Sequence, residues 1–123
     1  MSIDDLITVC RNISEVITDE EHRKRIQHCD ENGAIIILKE GSKIIGYAEI
    51  YTLDKVPDWP VEPWPVSQKG GQYLYCWYTF VDQEYRKSKA LTEMIQIARA
   101  SFNCKWLCYH RDKYNHRLKV VRL

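Results

Sequence analysis

The uninterrupted apolar runs are short, residues 34–38 among them, and far below the roughly 18 residues a membrane span needs, so no spanning helix is expected. The amino terminus begins Ser2-Ile3-Asp4-Asp5 and lacks the basic start and apolar stretch of a signal peptide, which predicts a cytoplasmic protein. Five cysteines, Cys10, Cys29, Cys76, Cys104 and Cys108, form no CxxC pair, and their odd number argues for free, mostly buried thiols. A net charge of only +1 excludes a uniformly basic, nucleic-acid-coating surface. What is present is 123 residues, the size of one domain, with 45% hydrophobic and 28% charged residues. That length and mix describe a single globular unit over residues 1–123, with a core large enough to need neither metal nor disulfide staples.

The charge is unevenly spread. Residues 1–33 carry −4, residues 34–104 are balanced, and residues 105–123 carry +5. Ser2 and Asp5, followed by Ile3, Leu6, Ile7, Cys10, Ile13 and Ile17 at three- and four-residue spacings, predict a capped amphipathic helix. Thr18 and Glu21 repeat the capping-box spacing and open a second, mostly solvated helix that ends near Gly33, with His22 and His28 exposed on it. Ile35, Ile36 and Ile37, then Ile44 and Ile45, flank Glu40-Gly41-Ser42 as two strands flank a hairpin turn.

All four prolines (Pro57, Pro60, Pro63, Pro65) fall between Leu53 and Tyr73, with Trp59, Trp64 and Gly70-Gly71. A long Pro-stiffened loop with aromatic rings is expected there, either shaping a substrate site or covering an open sheet edge. The segment YLYCWYTFV (residues 73–81) is apolar at both alternating positions, as in a central strand covered on both faces. Leu91, Met94, Ile95, Ile97 and Ala98 then form a helical stripe, and two strands follow over residues 105–111 and 116–123, separated by Asp112, Lys113, Tyr114 and Asn115. The element order is ααβββαββ.

Chemistry concentrates where the central strand runs into the last helix. Arg86, Lys87 and Lys89 stand in what should be a first helical turn, where acids are usual, and basic residues on free backbone N–H groups favour an anion such as phosphate.

The stretch VDQEYRKSKALTEMIQIA, with the aromatic strand and the hairpin GSKIIGYAEI before it, resembles the acetyl-CoA-binding core of the GNAT superfamily of N-acetyltransferases over residues 33–107. The resemblance implies an α/β (α+β) fold: a mixed, mostly antiparallel sheet flanked by helices. It implies acetyl-CoA as co-substrate without metal, held by Phe80 and Val81 along the pantetheine arm and by Arg86, Lys87, Ser88, Lys89, Ala90 and Leu91 at the pyrophosphate. Lys89 and Leu91 depart from the family pattern, standing where Gly, and Gly or Ala, belong; Ser88 and Ala90 supply the small side chains if the loop is one residue shorter. By the same resemblance the reaction is direct transfer of an acetyl group to a primary amine of a small molecule or protein. Glu49, buried among Tyr47 and Tyr51, is the first candidate base and Tyr78 the second. Tyr114, or Tyr109, is the candidate acid for the departing thiolate, and Trp59 and Trp64 shape the acceptor loop. The family's first strand, and the helix after its fifth strand, have no counterpart in this pattern, as in a compact member.

Other readings compete. A catalytically silent GNAT-like module would dock a protein or nucleic acid through its basic C-terminal region, where Lys105, Arg111, Lys113, Arg117, Lys119 and Arg122 lie among Trp106, Tyr109 and Tyr114. Cys104, Cys108, His110 and His116 give a spacing that matches no common zinc pattern, and a Cys76 or Cys108 nucleophile lacks an orienting third residue.

Overall fold

The computed structural model of the chain describes residues 3–11, 17–85, 89–111 and 115–123. Helices α1 (Ile3–Arg11) and α2 (Asp19–Asn32) precede strands β1 (Ala34–Glu40), β2 (Lys43–Leu53) and β3 (Tyr73–Val81). A 3-10 turn (Gln83–Tyr85), helix α3 (Ala90–Ser101) and strands β4 (Trp106–Arg111) and β5 (Arg117–Arg122) complete the order ααβββαββ. The five strands form one sheet in sequence order, with β3 at its centre. Every pairing is antiparallel except β3 with β4, which is parallel. Parallel neighbours need a crossover, and α3 supplies it.

The helices cover opposite faces. Leu6, Ile7 and Cys10 of α1 and Ile26 of α2 bury against Tyr47 of β2, while Met94 and Ala98 of α3 bury against Ile36, Ala48, Ile50 and Leu74. The start of α2 is set locally: the Thr18 hydroxyl accepts from the Glu21 amide at 3.2 Å, and the Glu21 carboxylate accepts from the Thr18 amide at 3.0 Å. Losing such a cap costs about 1 kcal/mol.

Helix α2 is not mostly solvated. It buries His22, Arg25, Ile26 and Cys29, a helical stripe in which the polar pair occupies positions usually apolar. Hydropathy hides that stripe, because burial of Arg25 is decided by a partner on β2. The loop over residues 54–72 has no helix or strand and is held on the α2 face of the sheet. Val61 is buried with Tyr51, Leu53 and Tyr75, the His28 ring donates from Nε2 to the Pro65 carbonyl at 2.7 Å, and Ser67 N–H donates to the Asn32 carbonyl at 2.7 Å.

A register change shapes the centre of the sheet. Glu49 faces Tyr78 and Ile50 faces Cys76, so Trp77 has no opposite residue and forms a bulge. One extra residue reverses the alternation of faces. Leu74, Cys76 and Val81 pack on the α3 side, whereas Tyr73, Tyr75, Trp77, Tyr78 and Phe80 all pack on the α1–α2 side. No helix among the described residues is long and apolar enough to cross a membrane.

Gly33 links α2 to β1 at a point where no side chain fits: a Cβ there would lie 2.6 Å from the Ile50 carbonyl oxygen and 2.7 Å from the Tyr51 ring. Backbone and a core ring cannot both retreat, so Gly33→Ala is expected to destabilise the fold by about 2 kcal/mol in urea unfolding. A loss under a few tenths would show that α2 can shift freely against the sheet.

Candidate active site: a cleft where the central strands part

Pairing of β3 with β4 covers only Tyr73–Trp106, Leu74–Leu107 and Tyr75–Cys108. Beyond that point the strands diverge, and from Cys76 to Phe80 no strand among the described residues pairs with β3 on its β4 side. The bulge at Trp77 bends β3 at the place where it leaves β4, consistent with the local twist that an extra residue introduces. Across the gap the Tyr75 hydroxyl and His110 Nδ1 are hydrogen-bonded at 2.7 Å, tying the strands just past the last ladder pair. Between the diverging strands and α3 lies a cavity of about 510 Å³. Its walls include Cys76, Trp77, Tyr78 and Thr79 of β3, Tyr109 and His110 of β4, and Leu91, Met94, Ile95 and Ala98 of α3.

The N-terminus of α3 stands at the end of β3 toward which the cleft opens. Lys89 is its N-cap and makes no side-chain capping hydrogen bond, so the dipole's positive end is served by no carboxylate or hydroxyl at that position. Ala90 is buried and Leu91 is about half exposed on the cleft wall. Asp82 and Glu84, just before this turn, pair with Lys43 at 3.4 and 3.7 Å. Arg86, Lys87 and Ser88, expected to meet the pyrophosphate, lie outside the described residues, as does Tyr114.

On the opposite face, beneath the bulge, sits a buried polar cluster. Arg25 Nε donates to both oxygens of Glu49, at 2.9 and 3.0 Å, and the Tyr47 hydroxyl donates to Oε2. Arg25 also reaches His22 Nδ1 at 2.8 Å and Cys10 Sγ at 3.2 Å, and its guanidinium lies 3.9 Å over the Tyr78 ring. Glu49 is fully buried; burial pushes its carboxyl above the usual range, against the pull of Arg25 and Tyr47. Both oxygens are occupied and Glu49 is absent from the cleft wall. The expectation that burial raises its pKa agrees with this environment, but its carboxylate addresses Arg25 and not the cleft. Tyr78 is a residue of the cleft wall, but its ring packs on the α1–α2 side under Arg25, and burial there raises its phenol above the ordinary value.

Trp59 and Trp64 are both partly exposed and packed on histidines. Trp59 stacks on His116 at 4.0 Å between centroids and meets His110 at 5.3 Å; Trp64 meets His28 and Trp77 edge-on at 5.2 and 5.5 Å. The loop thus places one tryptophan beside His110 and the other beside Trp77, two residues of the cleft wall. His28 and His22, expected on a solvated helix, are engaged in these clusters. His110 was missed as a site residue because its sequence neighbours suggest only a poor metal spacing; its place becomes visible once β4 is seen to part from β3. Burial and nearby His116 lower its pKa, against Pro57 and Asp58, which raise it. Cys76, on the cleft wall, is pushed up to about 11 by burial, and Cys108 to about 12, which leaves both as thiols and poor nucleophiles at neutral pH. No group of three or more His, Cys, Asp or Glu among the described residues is placed to hold a metal ion.

A split sheet with a helix returning over the split recurs in solved structures. AAC(6')-Iy, an aminoglycoside N-acetyltransferase in complex with CoA, superposes with a TM-score of 0.62 over 85% of this chain and 67% of its own, at 15% identity. The GphF GNAT-like decarboxylase in complex with isobutyryl-CoA gives 0.64 over 92% of this chain and 64% of its own, at 13% identity. The loading GNATL domain of CurA from Lyngbya majuscula gives 0.59 over 92% and 63%, at 18% identity. At such identities the likeness is one of fold. The chain spans about two-thirds of the length of these structures. No curated protein sequence matches it. The profile of the GNAT acetyltransferase family matches residues 2–118, and the chain belongs to that family.

Removing one partner of the Arg25–Glu49 pair strands the other charge in the core. Arg25→Met is expected to cost about 3–5 kcal/mol near pH 7. Without Arg25 the folded-state pKa of Glu49 rises further above its unfolded value of about 4.3, so stability is fullest below that value and lost as pH rises through the folded pKa. Urea unfolding at pH 5 and pH 8 checks this: the variant should lose less at pH 5, and an equal loss at both would contradict the ion pair.

Proposed function

We propose that the protein is an acyl-CoA-dependent N-acyltransferase that transfers an acetyl or related acyl group to a primary amine. The observation that carries this reading is the parting of β3 from β4 under α3. An extended pantetheine arm can lie in that gap and use the edge of β3, from Cys76 to Phe80, as a strand-like partner for its amides. Phe80 and Val81 then stand nearest the α3 N-terminus, where Lys89, Ala90 and Leu91, together with Arg86, Lys87 and Ser88, would meet the pyrophosphate. Leu91 on the cleft wall leaves the contact to backbone N–H groups and basic side chains rather than to a glycine-rich loop.

In the transfer, the neutral amine attacks the thioester carbonyl, a C–N bond forms, the C–S bond breaks, and CoA leaves as the thiol. One proton must leave the amine nitrogen and one must reach the sulfur. We assign proton acceptance to His110, whose ring Tyr75 orients at the point where the strands part. Tyr78, whose ring packs under Arg25 with its hydroxyl buried on the α1–α2 side, shapes the bulge and is given neither proton role. Glu49 acts from behind, fixing Arg25 against Tyr78 and hence the bulge. Trp59 and Trp64 border the acceptor side.

Calorimetric titration with CoA and acetyl-CoA tests the cofactor site directly. Micromolar binding is expected, weakened at least about tenfold in the Arg86→Glu, Lys89→Glu double variant. No heat at millimolar ligand in a folded sample would overturn the enzyme reading and favour a silent module that docks through the basic β4–β5 edge, where Arg117, Lys119 and Arg122 stand.

His110→Gln should leave CoA affinity unchanged and lower amine-dependent release of CoA thiol by about 100-fold or more. Because burial and His116 lower the imidazole pKa, the acid limb of the wild-type rate profile should fall below the ordinary value of about 6.5 and vanish in the variant. An unaltered limb would remove His110 from the mechanism.

A further inference from the structure

The two ends of the cleft differ in chemistry. At the end toward the α3 N-terminus the lining residues Thr79, Tyr109 and His110 are polar. At the end where the β3–β4 ladder closes, the wall is apolar: Ile50, Leu74, Met94, Ala98, Leu107 and Leu123. Helix α3 runs back over the sheet from the end of β3, so Ala98 packs in one cluster with Leu74 near the closed end, while Ala90 marks the open end. The chamber also spreads sideways, past β3, to Ile36 of β1 and Ala48 of β2. That extension lies off the β3–β4 gap in which a pantetheine arm would run.

Protein cores keep few voids larger than a water molecule, and an apolar chamber resists filling by water because it offers no hydrogen bonds. The small side chains of Ala48 and Ala98 leave room where larger ones would close the core. A two-carbon acetyl group would leave much of this lateral, apolar space unfilled, whereas a saturated chain of several carbons matches it in shape and polarity. We propose that the chamber is an acyl-chain site and that the preferred donor is a medium-length aliphatic acyl-CoA. This rests on the acyl-CoA reading above and specifies its donor. The chain takes no part in bond making: the carbonyl carbon still exchanges its bond to sulfur for one to the amine nitrogen, and CoA thiol is released.

The test is calorimetry with CoA, acetyl-CoA and hexanoyl-CoA as probes, on the wild-type chain and on Ala98→Leu, which fills the closed end. Burial of four more methylene groups should make hexanoyl-CoA bind at least about tenfold tighter than acetyl-CoA, well within the roughly 0.8 kcal/mol each can supply. In Ala98→Leu that advantage should disappear while CoA itself binds as to the wild type, which also reports that the variant is folded. Ala48→Val, a smaller filling of the lateral extension, serves if Ala98→Leu fails to fold, and should at least halve the advantage. Equal or weaker binding of hexanoyl-CoA in the wild type overturns the acyl-chain site while leaving the cofactor site standing. Failure of all three probes to bind removes the cofactor reading itself and the chain site with it.

Discussion

A strand in the middle of a sheet needs partners on both sides, because its backbone amides and carbonyls are strong hydrogen-bonding groups that are costly to leave unmet away from water. In this protein β3 meets that requirement on the β2 side from Tyr73 to Val81 save at the bulged Trp77, but on the β4 side only from Tyr73 to Tyr75. The rest of the edge faces a cleft beneath α3. That incomplete ladder governs much else: it opens the cleft, brings the α3 N-terminus to one end of it, and puts His110 across from the strand that departs. A ligand with amide groups of its own can complete the sheet there, which is why a backbone feature rather than a set of side chains underlies the functional reading.

The buried polar cluster gives the departure a firm base. Two charges are withdrawn from water at Arg25 and Glu49, which is tolerated only because the guanidinium and carboxylate satisfy one another and engage Tyr47, His22 and Cys10 besides. The cluster joins α1, α2, β2 and, through the ring of Tyr78, the residue that follows the bulge. Packing of hydrocarbon alone would allow small sliding of α2 over the sheet. A guanidinium whose Nε–H is shared by both Glu49 oxygens and whose other nitrogens are held by His22 and Cys10 has one position, and it fixes α2 against the strands whose register sets the cleft.

Much was legible in the residues themselves. Capping boxes, three- and four-residue apolar spacings and the hairpin turn predict every helix and strand in order, because these signals act over a few residues and owe little to the rest of the chain. The apolar run of YLYCWYTFV marks a strand covered on both faces, and it is the central one. The junction after Val81, with its family resemblance, points to the end of the cleft at which α3 begins. Arg25 and His110 were not legible. Each sits in a stretch whose composition reads as solvated or unremarkable, and each acquires its place from a residue far along the chain: Glu49 for Arg25, Tyr75 for His110. Glu49 was picked out for its aromatic surroundings, and what those surroundings conceal is a cation from another helix.

The sequence by itself determined the element order, the apolar faces of α1 and α3 and the family, since local periodicity, capping and turn chemistry carry that information within short windows. Only the tertiary structure decided that Trp77 is bulged, that β3 and β4 separate after three pairs, and that an apolar chamber reaches beneath α3 to β1 and β2. Strand register and cavity shape depend on how distant segments meet, and a difference of one residue in that meeting sends every later side chain to the other face.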